Sequence, residues 1–364
     1  MKRPAGINLF SLLALGSLVL VGVLAWFLLR QKHDDHASDL FIYCAAGMRF
    51  PMEEISDVYE KEFGVKIQIQ YGGSNTLLSQ LEIAKTGDLY LAADDSYIDM
   101  ARDKGLLAES LELALMKPLI AVRNDNTSVT STESLASPQV RVALGNPEAT
   151  AIGKKTRRLL TRSGHWDSIN KNVTENGVFK PTVNDVANDI VLGSVDAGII
   201  WDSTVTQYDK LRGVSTPELD TGEALVSIGV LTSALDATAA LHFARYVAAR
   251  DKGLLVFRKK GFRPVEGDKW ADKPSLTFFA GTVNRLALEP IIREFEEREG
   301  VKVNRVYNGC GALNDSMWVI LETNGNNFPD TYMACDNYYL DTVKELFEPG
   351  ILVSETDIVI CVQK

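Results

Sequence analysis

The residues YCAAGMRFPMEEISDVYEKEFGVKIQIQYGGSNTL, Tyr43 to Leu77, decide the fold because the chain uses them twice. A second version, FFAGTVNRLALEPIIREFEEREGVKVNRVYNGCGAL, runs from Phe278 to Leu313. Arg49 matches Arg285, Glu53 matches Glu289, Gly64-Val65-Lys66 matches Gly300-Val301-Lys302, and Tyr71 matches Tyr307. The likeness continues after a short insertion containing Asn324 to Asn327, where GDLYLAADDSYID (Gly87 to Asp99) meets PDTYMACDNYYLD (Pro329 to Asp341). It closes with LIAVRN (Leu119 to Asn124) against VICVQK (Val359 to Lys364). Self-similarity this long and this ordered marks a repeated structural unit.

Each copy alternates strand and helix. Phe41 to Ala45 is an apolar run of strand length, and Pro51 to Phe63 carries Ile55, Val58, Tyr59 and Phe63 at helical spacing. Lys66 to Tyr71 alternates like a strand, Gly72-Gly73-Ser74-Asn75 turns into a helix from near Thr76, and Leu89 to Ala93 is a short buried strand. Such alternation implies a parallel sheet covered by helices on both faces. Between the copies, Val140 to Leu144, Ala197 to Trp201 and Ala224 to Leu231 read as strands, and 184–192 and 237–257 as helices. The expected division is an N-terminal segment 1–38, a complete domain 39–266, a linker 267–275 and a partial domain 276–364. Within the complete domain one lobe takes 39–124 and 225–266, the other 125–224.

The 364 residues are 46% hydrophobic and 24% charged, which are globular proportions. A net charge of −10 argues against nucleic acid as partner, because that would need a basic face. It does not exclude a small anion, which neutral N–H and O–H donors can hold. From Ile7 to Leu29 the chain is uncharged, with Lys2 and Arg3 before it and Arg30 and Lys32 after it. That is about the length of a bilayer-crossing helix, roughly 20 residues. It ends in Trp26-Phe27-Leu28-Leu29, a poor cleavage context. The reading is an uncleaved signal anchor that tethers an exported protein to the cytoplasmic membrane. Four dispersed cysteines contain no CxxC pair, so neither zinc nor a redox motif is indicated. Cys44 and Cys361 read as buried apolar residues, and a Cys310–Cys335 disulfide stays open.

The domain 39–266 resembles the molybdate-binding proteins of bacterial ABC importers, which are type II periplasmic solute-binding proteins. That resemblance implies two Rossmann-like α/β lobes joined by a hinge, with the ligand between them, followed here by a partial second copy. The second copy stops where its chain should cross to another lobe, so the chain is expected to be a piece of a longer tandem protein. By motif, the resemblance implies ligand contacts at five loops. Gly47 in Ala45-Ala46-Gly47-Met48 stands where the family has a serine, and Ser74 keeps the family's hydroxyl. Ile152, after Gly145-Asn146-Pro147-Glu148, and Val186, in Asn184-Asp185-Val186, would give backbone N–H groups. Trp201 stands where the family has a tyrosine. Arg49, two residues past the lost hydroxyl, is a candidate charged contact. Val283 and Cys310 take the places of Gly47 and Ser74 in the second copy, which leaves it without a complete site.

The implied function is capture of a small tetrahedral oxyanion, molybdate or tungstate, for an ABC permease, with no cofactor, metal or nucleic acid. Sulfate or phosphate, or a membrane-tethered sensor of the same fold, are the alternatives. No catalytic residue is expected. None of the four histidines falls in a motif with a nucleophile, and no phosphate-binding GxxxxGK[ST] is present. Ser74 alone could be a helix cap, Asp94-Asp95 reads as a cap and first-turn acid, and Lys154 to Arg158 as a solvated face.

Overall fold

The computed structural model describes residues 39–323, 325 and 327–355. The first sheet forms around β1, Leu40–Ala45, whose side chains are almost all buried because helices cover both of its faces. Helix α1, Arg49–Phe63, turns Met52, Ile55 and Tyr59 inward at helical spacing. It ends at Gly64, whose φ of 72° is the left-handed cap that glycine takes without strain. Then come β2, Ile67–Gly72; α2, Ser74–Ala84; β3, Leu89–Ala92; α3, Asp95–Asp103; and β4, Leu107–Met116. Helix α2 starts two residues earlier than the sequence suggests, with Gly73 as its cap position.

Strand β5, Pro118–Arg123, follows β4 across a single residue, Lys117. It pairs not in the first sheet but antiparallel with β8, Ala197–Trp201, and β9, Leu211–Val214. Leu119 to Asn124, expected to close the first lobe, therefore runs in the second lobe's sheet. The second sheet adds β6, Val142–Gly145, and β7, Val178–Lys180, in the order β7-β6-β8-β5-β9. It carries α4, Ala151–Arg162; α5, Trp166–Asn176; and α6, Val183–Leu192. The chain returns through β10, Ala224–Leu231, into a six-stranded sheet ordered β11-β4-β10-β3-β1-β2, where β11 is Arg263–Pro264. The segment 237–257, expected as one helix, is two: α7, Ala237–Ala248, and α8, Gly253–Lys259. The break lets Gly253 lie against Val247, whose carbonyl oxygen would be 2.2 Å from an added Cβ.

A third, three-stranded sheet is ordered β13-β12-β14, from β12, Ser275–Gly281; β13, Lys302–Asn308; and β14, Thr331–Met333. All its pairings are parallel, and their register repeats that of the first sheet at the matched positions. Leu40 faces Ile67 as Leu276 faces Val303, and Ile42 faces Leu89 as Phe278 faces Thr331. Helix α9, Arg285–Glu299, ends on Gly300 at φ 62°, as α1 ends on Gly64. Helix α10, Cys310–Glu322, follows β13 as α2 follows β2. Among the described residues this unit's buried cluster is Phe279, Leu313, Met317 and Val343. It leans on the first unit through Arg245, which donates from Nη1 to the Glu299 carbonyl at 2.9 Å.

Membrane anchoring needs correction. Among the described residues no helix is long and apolar enough to cross a membrane. The run 7–29 that carried the expectation lies outside the described residues, as do Cys361 and the strand expected at Val359 to Lys364. The attachment through an N-terminal helix, and the location drawn from it, are withdrawn.

Candidate functional site

Where the carboxyl ends of the first two sheets face each other, the chain leaves a cavity lined by small residues and helix starts. Ala45, Ala46 and Gly47 come from the end of β1 and the turn after it, Gly72 from the end of β2, Gly73 and Ser74 from the head of α2, and Ala93 from just past β3. Thr150, Ala151 and Ile152 open α4, Val183 opens α6, and Trp201 ends β8. No lining residue carries an ionisable side chain of the Asp, Glu, Lys, Arg or His kind. The empty volume is about 230 Å³, mouth included. Most of that space is open mouth, and the enclosed part has room for only a few atoms.

The chemistry of the lining is donation. A helix start leaves N–H groups without intrahelical acceptors and presents the positive end of the dipole. In α4 the Thr150 hydroxyl accepts from Gly153 N at 3.0 Å, which leaves Ala151 and Ile152 as the first-turn donors beside the cavity. Ser74 is 1% exposed, and its Oγ accepts from Ala93 N at 3.2 Å. The same hydroxyl can then donate its own proton elsewhere.

Of the expected residues, Gly47, Ser74, Ile152 and Trp201 meet in this cavity. Gly47 and Trp201 are spatial neighbours: a Cβ on Gly47 would lie 3.6 Å from Trp201 Cδ1 and 4.0 Å from its Nε1. An added Cβ would touch the indole at ordinary contact distance and be tight only against Val183 Cγ1, at 3.3 Å. Val186 is not in the lining. Its N–H bonds back to the Thr182 carbonyl at 3.4 Å, and its side chain packs on Gly198. Val183, one turn earlier, takes the place at the cavity. Arg49 is also turned away, ion-paired with Glu53 at 3.7 Å and lying 4.3 Å above the Tyr71 ring. Burial raises the Tyr71 phenol far above its ordinary value, so the ring stays neutral beneath the guanidinium. Arg285, Glu289 and Tyr307 repeat this cluster in the third sheet, which fits a structural role for the arginine.

Sequence reasoning missed the contacts that hold the lobes together. The amides of Asn75 and Thr76 donate across the cleft to the Ala149 carbonyl at 3.1 and 3.3 Å, and Asn75 Nδ2 donates to the Glu148 carbonyl at 2.7 Å. Beside them Lys155 and Asp94 form an ion pair at 2.5 Å with both side chains 7% exposed. Lys155 also donates to the Glu223 carbonyl at 2.8 Å, on the return crossing. Asp94 keeps its expected cap, accepting from Ser96 N at 3.2 Å. The solvated face expected for Lys154 to Arg158 is corrected at two positions: Lys155 is buried, and the Lys154 ammonium sits 4.6 Å from the Tyr97 ring centre. Helical spacing cannot show that a second lobe will cover that face. Among the described residues no group of three His, Cys, Asp or Glu side chains could hold a metal.

A family model described as "Bacterial extracellular solute-binding protein" matches residues 40–263. The chain belongs to that family. A binding protein of Haemophilus influenzae is 29% identical over 232 residues, 63% of this chain and 93% of that protein. The molybdate-binding protein ModA of Mycobacterium tuberculosis is 24% identical over 231 residues, 62% of this chain and 85% of its own. Among solved structures, the periplasmic molybdate-binding protein of Azotobacter vinelandii superposes with a TM-score of 0.55 at 16% identity, over 63% of this chain and all of that one. AfuA of Actinobacillus pleuropneumoniae, solved with fructose-6-phosphate, gives 0.54 at 16% identity, over 65% and 88%. The two facing lobes therefore have the type II periplasmic-binding-protein fold, which accommodates varied ligands. This solute-binding protein shares its family and fold with non-catalytic proteins of ABC import.

Proposed function

We propose that the cleft captures a small, fully deprotonated tetrahedral oxyanion of the molybdate and tungstate kind and delivers it to an ABC permease. The observation that carries this reading is the lining: hydroxyl, indole and first-turn N–H donors converge on a small space with no ionised side chain. An oxyanion without protons only accepts hydrogen bonds, so a donor-only site favours it over protonated anions. Relatives that align along most of their own length are named for molybdate, which supports the same class. The proposed contacts are the Ser74 hydroxyl, the Trp201 indole N–H, and backbone N–H groups at Gly47, Ile152 and Val183. Gly47 and Trp201 depart from the family's serine and tyrosine, which keeps sulfate and phosphate as the competing ligands. The repeated register and helix caps support reading 276–364 as a second copy of the first lobe's opening part.

The test is thermal denaturation of the chain with molybdate, tungstate, sulfate or phosphate. A ligand at about 100 times its dissociation constant adds about 2.7 kcal/mol to stability. A rise in melting temperature with molybdate and tungstate alone supports the proposal. A rise with sulfate or phosphate alone changes the anion, and no rise with any of the four rejects the class.

A further inference from the structure

The third sheet has its own version of the Ser74 corner. In the first unit Ser74 opens α2, and its Oγ accepts from Ala93 N at 3.2 Å. In the third sheet Cys310 opens α10, and its Sγ accepts from Cys335 N at 3.3 Å. Cys335 stands beyond β14 as Ala93 stands beyond β3. The two sulfurs are 2.7 Å apart. Around them the space is filled rather than open: a Cβ on Gly281 would lie 2.8 Å from Cys310 Sγ and 3.4 Å from Cys335 Cβ. Both positions that face the cavity in one unit thus carry thiols that face each other in the next.

We propose that Cys310 and Cys335 are joined as a disulfide that staples the head of α10 to the end of β14. The inference goes beyond the ligand reading and does not depend on which anion binds. Three observations carry it. The family is extracellular, and disulfides form and persist in such oxidising surroundings. The two sulfurs already face each other at 2.7 Å in a filled corner, so no rearrangement of the chain has to precede the bond. Cys335 is exposed, so an oxidant can reach the pair, whereas Cys44 is fully buried and cannot be reached. The reaction is thiol–disulfide exchange with a disulfide oxidoreductase or a small-molecule disulfide. A thiolate of the pair attacks the incoming disulfide and releases one thiol of the oxidant. The second thiolate then attacks the mixed disulfide, closes the Cys310–Cys335 bond and releases the other. Two protons and two electrons leave the pair, and the oxidant gains both. In the reduced form the hydrogen bond with Cys310 pushes the Cys335 thiol up to about 11. It closes a loop spanning 25 residues, which restricts the unfolded chain.

The experiment uses the full chain held in an oxidising glutathione buffer. Free thiols are alkylated after unfolding, and peptides are mapped without reductant. The expected result is a cross-linked peptide pair containing Cys310 and Cys335. Alkylation of both cysteines, or a link from either one to Cys361, overturns the proposal. Hydrogen exchange then tests the staple itself. Reduction is expected to speed exchange at least tenfold in 302–308 and 310–322 and to leave 40–123 unchanged. Equal exchange in the oxidised and reduced proteins overturns the stabilising role. The Cys310→Ser/Cys335→Ser variant should match the reduced wild type in this measurement.

Discussion

Substituting Gly73 by alanine should separate closure of the cleft from folding. Gly73 has φ −73° and ψ 143°, ordinary values for alanine. Within its own lobe the methyl group costs no backbone strain. Across the cleft, however, its Cβ would stand 2.3 Å from the Ala149 carbonyl oxygen and 3.0 Å from that of Pro181. Restoring normal contact needs the lobes to stay apart by about 1 Å, which exceeds what a loop can absorb at a packed contact. That displacement breaks the three hydrogen bonds from Asn75 and Thr76 to Ala149 and Glu148. At about 1 kcal/mol each, the closed form loses about 3 kcal/mol, and binding that requires closure weakens about 100-fold. The unliganded protein should melt at the wild-type temperature or slightly above, because alanine narrows the unfolded ensemble. Calorimetric titration with the oxyanion that shifts the wild type measures the first effect, and a melt without ligand measures the second. Affinity within threefold of wild type, or a melting temperature several degrees lower, would refute the reasoning.

Lys155→Met should weaken binding sharply, since a buried charge left without its partner costs about 3–5 kcal/mol. Asp94→Asn keeps the cap on Ser96, so the double variant should recover most of the loss, and a double-mutant cycle reads the coupling. Gly47→Ser should lower affinity while Trp201 remains, because the added Cβ meets Val183 at 3.3 Å and the indole at 3.6 Å. Gly47→Ser with Trp201→Tyr should raise molybdate affinity above that of Gly47→Ser alone, again by calorimetry. Glu296 accepts from Val303 N and pairs with Arg305, which together hold its carboxyl below the usual range. A lowered folded value means its stabilisation is present above the unfolded carboxyl value and is lost as pH falls through the folded one. Exchange at 302–308 should therefore be faster in Glu296→Gln than in wild type at pH 7, and the difference should vanish in acid.

The architecture was legible because its signals are local. Strand and helix periods and the glycine caps at 64 and 300 follow from residues close in sequence, whereas the loops holding Gly47, Ser74, Ile152 and Trp201 came from the motif resemblance. What the residues could not convey was which surfaces another part of the chain would cover. A periodic pattern marks Lys155 as polar, yet only the neighbouring lobe, with Asp94 at its edge, makes it a buried ion. The same holds for Arg49, whose charge suggested a ligand and whose neighbours Glu53 and Tyr71 hold it aside. Val186 and Val183 differ by one helical turn, and only the helix start decides which of them lines the cavity. Strand β5 changed lobes for a similar reason: its apolar run suits either sheet, and β8 and β9 supply its partners only once the chain has folded back. Local propensity thus set the elements, and motif resemblance pointed to the loops around the cavity. Contacts between residues far apart in sequence decided which residues line the cavity and what joins the two lobes.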